Sequence, residues 1–284
     1  MFINKNTVYY ANNLSLHLKK KIWLKQEYLN LTGSHKDRET LWLIKGAKKK
    51  NFKSIGCAST GNLGISLAFF SRILNIKCHV WVNKRSNKSD LIKSLGGKVY
   101  YKKKMSLVEM YNKSDNYFKK HAIFSANPCN SVKKYEANSI IIQELKPILN
   151  EIEVIVCCVN NGSHYLGLKN FIKKKKLNVK LVGVTSKSEL ANSIKPSTKI
   201  ELNNKENKKI LTVNKKDIIE GFELLWKSEK ILVEGSSAAC IGAIKKIKNK
   251  NICCILTGNG YKNLHEIQKI LMSNKKNFSK ILNF

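Results

Sequence analysis

The sequence predicts an α/β protein built on open, parallel sheets. Short apolar runs alternate with helix-length segments along the chain, the pattern of units in which each helix returns the chain to a parallel strand. Several of those runs end directly in a Gly/Ser/Asn loop that opens the next helix, and ligands of open α/β sheets bind at such carboxyl ends. At 284 residues and 43% apolar, the chain can bury one large core or two modest ones, and its length slightly favours two lobes.

Taken in order, residues 21–27 (Lys-Ile-Trp-Leu-Lys-Gln-Glu) alternate like a short strand. Further strands are expected at 54–57, 78–82, 98–101, 154–159, 181–184, 231–233 and 252–256, with helices at 64–74, 90–95, 137–145, 166–173, 217–228 and 238–247. Residues 186–211 carry Lys, Asn and Ser with little apolar periodicity and are expected to form a surface excursion. No internal repeat or long linker interrupts the pattern.

No stretch reaches the roughly 18 uninterrupted apolar residues of a membrane span, and Met1-Phe2-Ile3-Asn4-Lys5 is not followed by an apolar signal core. The expectation is a cytoplasmic protein with no membrane partner. Cys157-Cys158 and Cys253-Cys254 sit inside apolar runs, where free Cys behaves as a small hydrophobe, and none of the eight cysteines has metal-site spacing. The formal charge is +34, yet only three of the 53 basic residues are arginine, the side chain favoured for bidentate phosphate and base recognition. We read the excess of Lys, Asn and Ile as compositional drift. Its field should attract anionic substrates at low salt without specifying nucleic acid.

Chemistry is concentrated in four loops. The first is Thr32-Gly33-Ser34-His35-Lys36-Asp37-Arg38, where a lysine follows a turn whose hydroxyls can cap a helix. An imine-forming lysine needs such a fixed place, with its amine partly desolvated or near another positive group. The second, Ala58-Ser59-Thr60-Gly61-Asn62, and the third, Asn160-Asn161-Gly162-Ser163-His164, each lie between a strand and a helix, so their amides can face an anion. The fourth, Leu256-Thr257-Gly258-Asn259-Gly260, places a hydroxyl at the sheet edge. Singly each is an ordinary turn. Their order is specific.

In that order the loops resemble the fold-type II pyridoxal-phosphate enzymes, the family of tryptophan synthase β-subunit, threonine synthase, cysteine synthase and threonine dehydratase, over about residues 8–264. The resemblance implies a two-lobed α/β fold with parallel open sheets and helices on both faces. Residues 30–138 would form the smaller lobe, 1–29 with 139–284 the larger, and pyridoxal 5'-phosphate would bind between them. It also implies roles. Lys36 would be the Schiff-base lysine. Ser59, Thr60 and Gly61 would bind the substrate carboxylate, with Asn62 beside the cofactor's ring oxygen. Asn161, Gly162, Ser163 and His164 would hold the cofactor phosphate, and Thr257 would meet the pyridine nitrogen. A neutral hydroxyl there should leave that nitrogen largely unprotonated, which suits eliminations and replacements.

Within the family, Val233-Glu234-Gly235-Ser236-Ser237-Ala238-Ala239 and the Thr257 loop resemble threonine synthase. Asn127-Pro128-Cys129-Asn130 with Tyr135-Glu136 resembles cysteine synthase, and His35 beside the lysine resembles tryptophan synthase. Asn130, counted as substrate-binding, stands where threonine synthases commonly place a phosphate-binding arginine. Lys133 and Lys134 are the nearby substitutes, as point charges. The third loop has less glycine than the family usually shows. The favoured expectation is a threonine synthase-like lyase that turns O-phosphohomoserine and water into threonine and phosphate. Cysteine synthase-like β-replacement and serine/threonine dehydratase activity are the enzyme alternatives, and a degenerate basic anion-binding relative is the alternative without catalysis. The resemblance leaves a homodimer open.

Overall fold

The computed structural model describes the chain except residues 1–2, 5–6, 60, 103–104, 128–133, 196–201, 205–209, 265–266 and 269–284. In chain order the elements are β1 (Val8–Tyr10), α1 (Asn12–Leu18), β2 (Lys21–Gln26), α2 (Lys36–Lys49), β3 (Ser54–Ala58), α3 (Asn62–Ile73), β4 (Lys77–Val82), α4 (Asn87–Ser94), β5 (Lys98–Tyr101), α5 (Leu107–Lys120), β6 (Phe124–Ser125), α6 (Lys134–Glu144), β7 (Val154–Cys158), α7 (Ser163–Lys174), β8 (Lys180–Ser186), β9 (Leu211–Val213), α8 (Lys215–Glu229), α9 (Gly235–Gly242) and β10 (Asn251–Leu256). They fall into two compact units: Met1–Ile3 with Asn30–Asn138, and Asn4–Leu29 with Ser139–Phe284.

The first unit holds a parallel four-stranded sheet in the order β5-β4-β3-β6. Ile55, Cys57, Val80 and Val82 from its central strands meet Ile44 of α2, Leu67 and Phe70 of α3 and Ile92 of α4 in one apolar cluster. Helix α2 forms because Leu43, Ile44 and Ala47 make one buried stripe, while Asp37 and Glu39 in its first turn and Lys48 and Lys49 in its last complement the helix dipole. Helix α4 starts at a Ser86/Ser89 capping box.

The second unit holds six strands in the order β1-β2-β10-β7-β8-β9, all parallel except β1. The two-residue period of a strand splits its core. Ile252, Cys254 and Leu256 of β10 enter one cluster with Val154 and Val156, and Cys253 and Ile255 enter another with Ile155 and Cys157. Both faces are therefore covered, as parallel sheets require.

Four sequence expectations change. Residues 21–27 do not alternate in burial, because β2 lies inside the sheet with apolar clusters on both faces. Lys25 is fully buried there, with its ammonium on Glu27 (3.1 Å), Glu144 (2.9 Å) and the Thr7 hydroxyl. Residues 231–233 are no strand: α8 ends at Lys230 in a left-handed cap (φ 55°), α9 follows at once, and only Val233 bridges to Asn259. The helix expected at 238–247 is α9 followed by a separate 3-10 turn, Ile244–Lys246. The span 186–211 is more than a surface excursion, since Ala191, Ile194, Leu202 and Ile210 are buried. Their irregular spacing hid them from a periodicity search. Among the described residues, no helix is long and apolar enough to cross a membrane, and the seven described cysteines are free and buried.

Candidate active site

Lys36 is the first residue of α2 and is buried, unlike the solvated lysines that dominate this composition. The turn before it does not cap the helix with its hydroxyls, as the sequence suggested. The bonding runs the other way: Asp37 Oδ2 accepts from the Thr32 amide at 2.8 Å and Oδ1 accepts from the Thr32 hydroxyl. This fastens the turn and fixes where Lys36 starts. The Lys36 ammonium then meets Glu39 Oε2 at 2.5 Å, one helical turn along. In the same stretch of chain, Ser34 Oγ, Glu39 Oε1 and Thr40 Oγ1 are buried without hydrogen-bond partners. Such unmade bonds are costly in a finished core, so they mark a place prepared for further polar contacts.

The second loop caps β3 in the same unit. The Ser59 amide donates to Trp81 O (3.0 Å), Ser59 Oγ accepts from the Gly61 amide (3.2 Å), and Asn62 opens α3. Thr60 lies outside the described residues, as do Asn130 and Lys133. Behind the loop, buried Asn127 accepts from the Ala58 amide at 2.7 Å and donates to Ser114 Oγ at 2.7 Å and Asp115 Oδ1 at 2.8 Å. The sequence had offered Asn127 only as part of a motif; its role here is to hold the end of β3.

In the other unit, the third loop leaves β7 and turns at Gly162, whose φ of +113° suits glycine, into α7. Asn161, Ser163 and His164 are all buried. Asn161 Oδ1 accepts from the Ser163 hydroxyl (3.1 Å) and amide (3.4 Å), so this asparagine engages two donors that a phosphate would use.

Thr257, at the end of β10, is buried in a polar knot. Its hydroxyl donates to Glu234 Oε1 (2.9 Å), which also accepts from Ser236 Oγ (2.7 Å), and Ser237 Oγ and Cys158 Sγ stand 3.2 and 3.4 Å from the same threonine oxygen. The hydrogen bond with Cys240 draws the Cys158 thiol below its ordinary range against the opposing effect of burial, while burial pushes Cys240 well up. Glu234 was legible only as a motif letter, yet it places a carboxylate directly behind Thr257. A cavity of about 440 Å³ in this unit lies at the amino ends of β7, β8 and β10, lined by Glu153, Lys180 and Asn251. That is the opposite end of the sheet from these loops, and none of the expected site residues reaches it.

Residues 1–258 match the family described as pyridoxal-phosphate dependent enzyme. The chain belongs to that family. Its relatives include the threonine synthase of Halalkalibacterium halodurans, 24% identical over 88% of this chain and 80% of that protein. The threonine synthase of Methanocaldococcus jannaschii is 28% identical over 90% of this chain and 74% of that protein. Similar solved structures include threonine deaminase isoform 2 of Solanum lycopersicum (TM-score 0.77, 19% identity, 94% of this chain and 83% of that one). Another is serine racemase of Dictyostelium discoideum (TM-score 0.77, 21% identity, 91% and 93%). The fold is that of the fold-type II enzymes, and the family's cofactor is pyridoxal phosphate.

The residues present fit that cofactor. A buried primary amine with orphaned polar atoms in the same stretch of chain suits an aldehyde, and a positive-φ glycine opening a buried helix start suits a phosphate.

Proposed function

We propose that this chain is a threonine synthase-like lyase that forms threonine and phosphate from O-phosphohomoserine and water. The observation that carries the reading is the shared segment: the threonine synthases above align with this chain over 80% and 74% of their own lengths, and the segment behind Thr257 is the stretch that resembled them. In this reading residues 30–138 carry Lys36 and the carboxylate loop, and residues 1–29 with 139–284 carry the phosphate and ring contacts.

Bound pyridoxal phosphate supplies an electron sink for the bond electrons released at a substrate Cα. Lys36 anchors the cofactor and, once displaced, moves protons at Cα and Cβ as base and acid. Ser59, Thr60 and Gly61 hold the substrate carboxylate, and Asn62 contacts the cofactor ring oxygen. The amides at Gly162, Ser163 and His164, with Asn161 beside them, hold the phosphate. Thr257 meets the ring nitrogen, and because its proton is shared with Glu234, the carboxylate's charge reaches that contact. This works against the expectation that a neutral hydroxyl leaves the ring nitrogen largely unprotonated.

A screen of purified protein with O-phosphohomoserine, serine, threonine, and O-acetylserine plus sulfide tests the reading. Threonine and phosphate released from O-phosphohomoserine, and lost in Lys36→Ala, is the expected result. Cysteine from O-acetylserine without any threonine from O-phosphohomoserine would replace it with β-replacement.

A further inference from the structure

We propose that Glu39 is the proton partner of Lys36: it holds the lysine as an ammonium before the cofactor arrives and takes the proton that must leave before the amine can react. This rests on the reading of Lys36 as the cofactor-anchoring lysine.

The geometry separates Glu39 from its neighbours. Two acids occupy the first turn of α2. Asp37 is committed to the Thr32 amide and hydroxyl, which leaves Glu39 for the lysine. Its Oε2 lies 2.5 Å from Lys36 Nζ, with side-chain exposures of 9% for the lysine and 0% for the glutamate. Bulk water is therefore a poor proton acceptor for this amine, and the carboxylate is a good one by position. Glu39 is also lightly held, because Oε1 is buried without a hydrogen-bond partner. A carboxylate that served only to pin the helix start would be expected to spend both oxygens, as Asp37 does.

The step balances. One proton moves from Lys36 Nζ to Glu39 Oε2 and frees the nitrogen lone pair. The nitrogen adds to the cofactor's carbonyl carbon, and the carbonyl oxygen leaves as water with the two protons the nitrogen still carried. No further reactant is needed. The sequence reading offered desolvation or a neighbouring positive group to ready this amine; Lys36 is buried, and the charged group against it is a carboxylate.

The test is cofactor loading, read without turnover. Cofactor-free protein is mixed with pyridoxal phosphate, the visible band of lysine-bound cofactor is followed in time, and the product is fixed with borohydride and located by peptide mass. Glu39→Gln keeps the shape but cannot accept the proton as a carboxylate does, and should load about 100-fold more slowly, the lower range for a positioned acid–base group. Glu39→Asp should fall between Gln and wild type. Pyridoxine phosphate, which has the ring and phosphate but no aldehyde, should bind wild type and Glu39→Gln equally. Loading of Glu39→Gln at or above the wild-type rate overturns the proposal, and so does an equal loss of pyridoxine phosphate binding, which would make Glu39 merely structural. If Glu39→Gln does not fold by thermal melting, Glu39→Asp decides, and an unchanged loading rate there overturns the proposal. Fixation of the cofactor on a lysine other than Lys36 would instead overturn the underlying assignment.

Discussion

Replacing Lys25 with methionine should destabilise the second unit by about 3–5 kcal/mol, the usual cost of stripping one partner from a buried ion pair. Met has similar reach and no charge, so packing changes little and electrostatics dominates. The ammonium touches Glu27 at 3.1 Å and Glu144 at 2.9 Å, in side chains that are 0% and 10% exposed. At an effective dielectric constant of about 20, each such contact represents about 5 kcal/mol of gross attraction. Most of that offsets the desolvation of the three ions, so the intact group adds little net stability. Without Lys25 the attraction is lost, while both carboxylates stay desolvated and repel each other. Urea unfolding followed by tryptophan fluorescence measures the loss, with Lys25→Met/Glu27→Gln/Glu144→Gln expected to recover much of it because no buried charge remains. A loss below about 1 kcal/mol in the single variant would refute the electrostatic account.

Asn161→Ala removes the side chain that braces the Ser163 amide and hydroxyl, and should weaken pyridoxine phosphate binding by about fivefold, on the order of 1 kcal/mol; unchanged or tighter binding by titration would remove Asn161 from the phosphate site. A Cβ at Gly221 would overlap the Ala238 carbonyl oxygen of α9, so Gly221→Ala should cost about 1–3 kcal/mol or more by overpacking, and a melting temperature equal to wild type would show that the helices part freely. Glu153 takes amide bonds from Asn251 and Lys250 and a side-chain bond from Asn249, and the Asn251 amide, then Asn249, hold its carboxyl below the ordinary 4.5. A carboxyl lowered on folding stabilises above its unfolded value and loses that contribution as pH falls through the folded one; Glu153→Gln should therefore melt lower than wild type at neutral pH, with the gap closing in acid.

The parts of the fold legible in the sequence are those whose local pattern and tertiary place agree. Runs such as 154–158 and 252–256 are apolar at every position because both faces of their sheet are covered, and they read as buried strands without help from context. Short edges such as β1 and β6 offer only three and two residues, too few for any period to declare itself. The site divides the same way. Lys36, the 58–62 loop, the 160–164 loop and Thr257 stand in turn chemistry that one dimension records. Glu39 was open to the same reading, since a carboxylate three residues after a lysine shares its helix face, but that face became informative only once it proved to be buried. Glu234 reaches Thr257 across 23 residues of chain, and no spacing rule announces such a pair.

Burial alone does not pick out a reactive lysine, as the two buried lysines among the described residues make clear. Lys25 has two carboxylates and a hydroxyl around it. All three partners tie its head group into the sheet. Lys36 has one carboxylate, and that carboxylate keeps an unbonded oxygen. A single proton passed between the two neutralises both groups at once, leaving no buried charge behind. The difference between the two lysines lies in how many acids each was given.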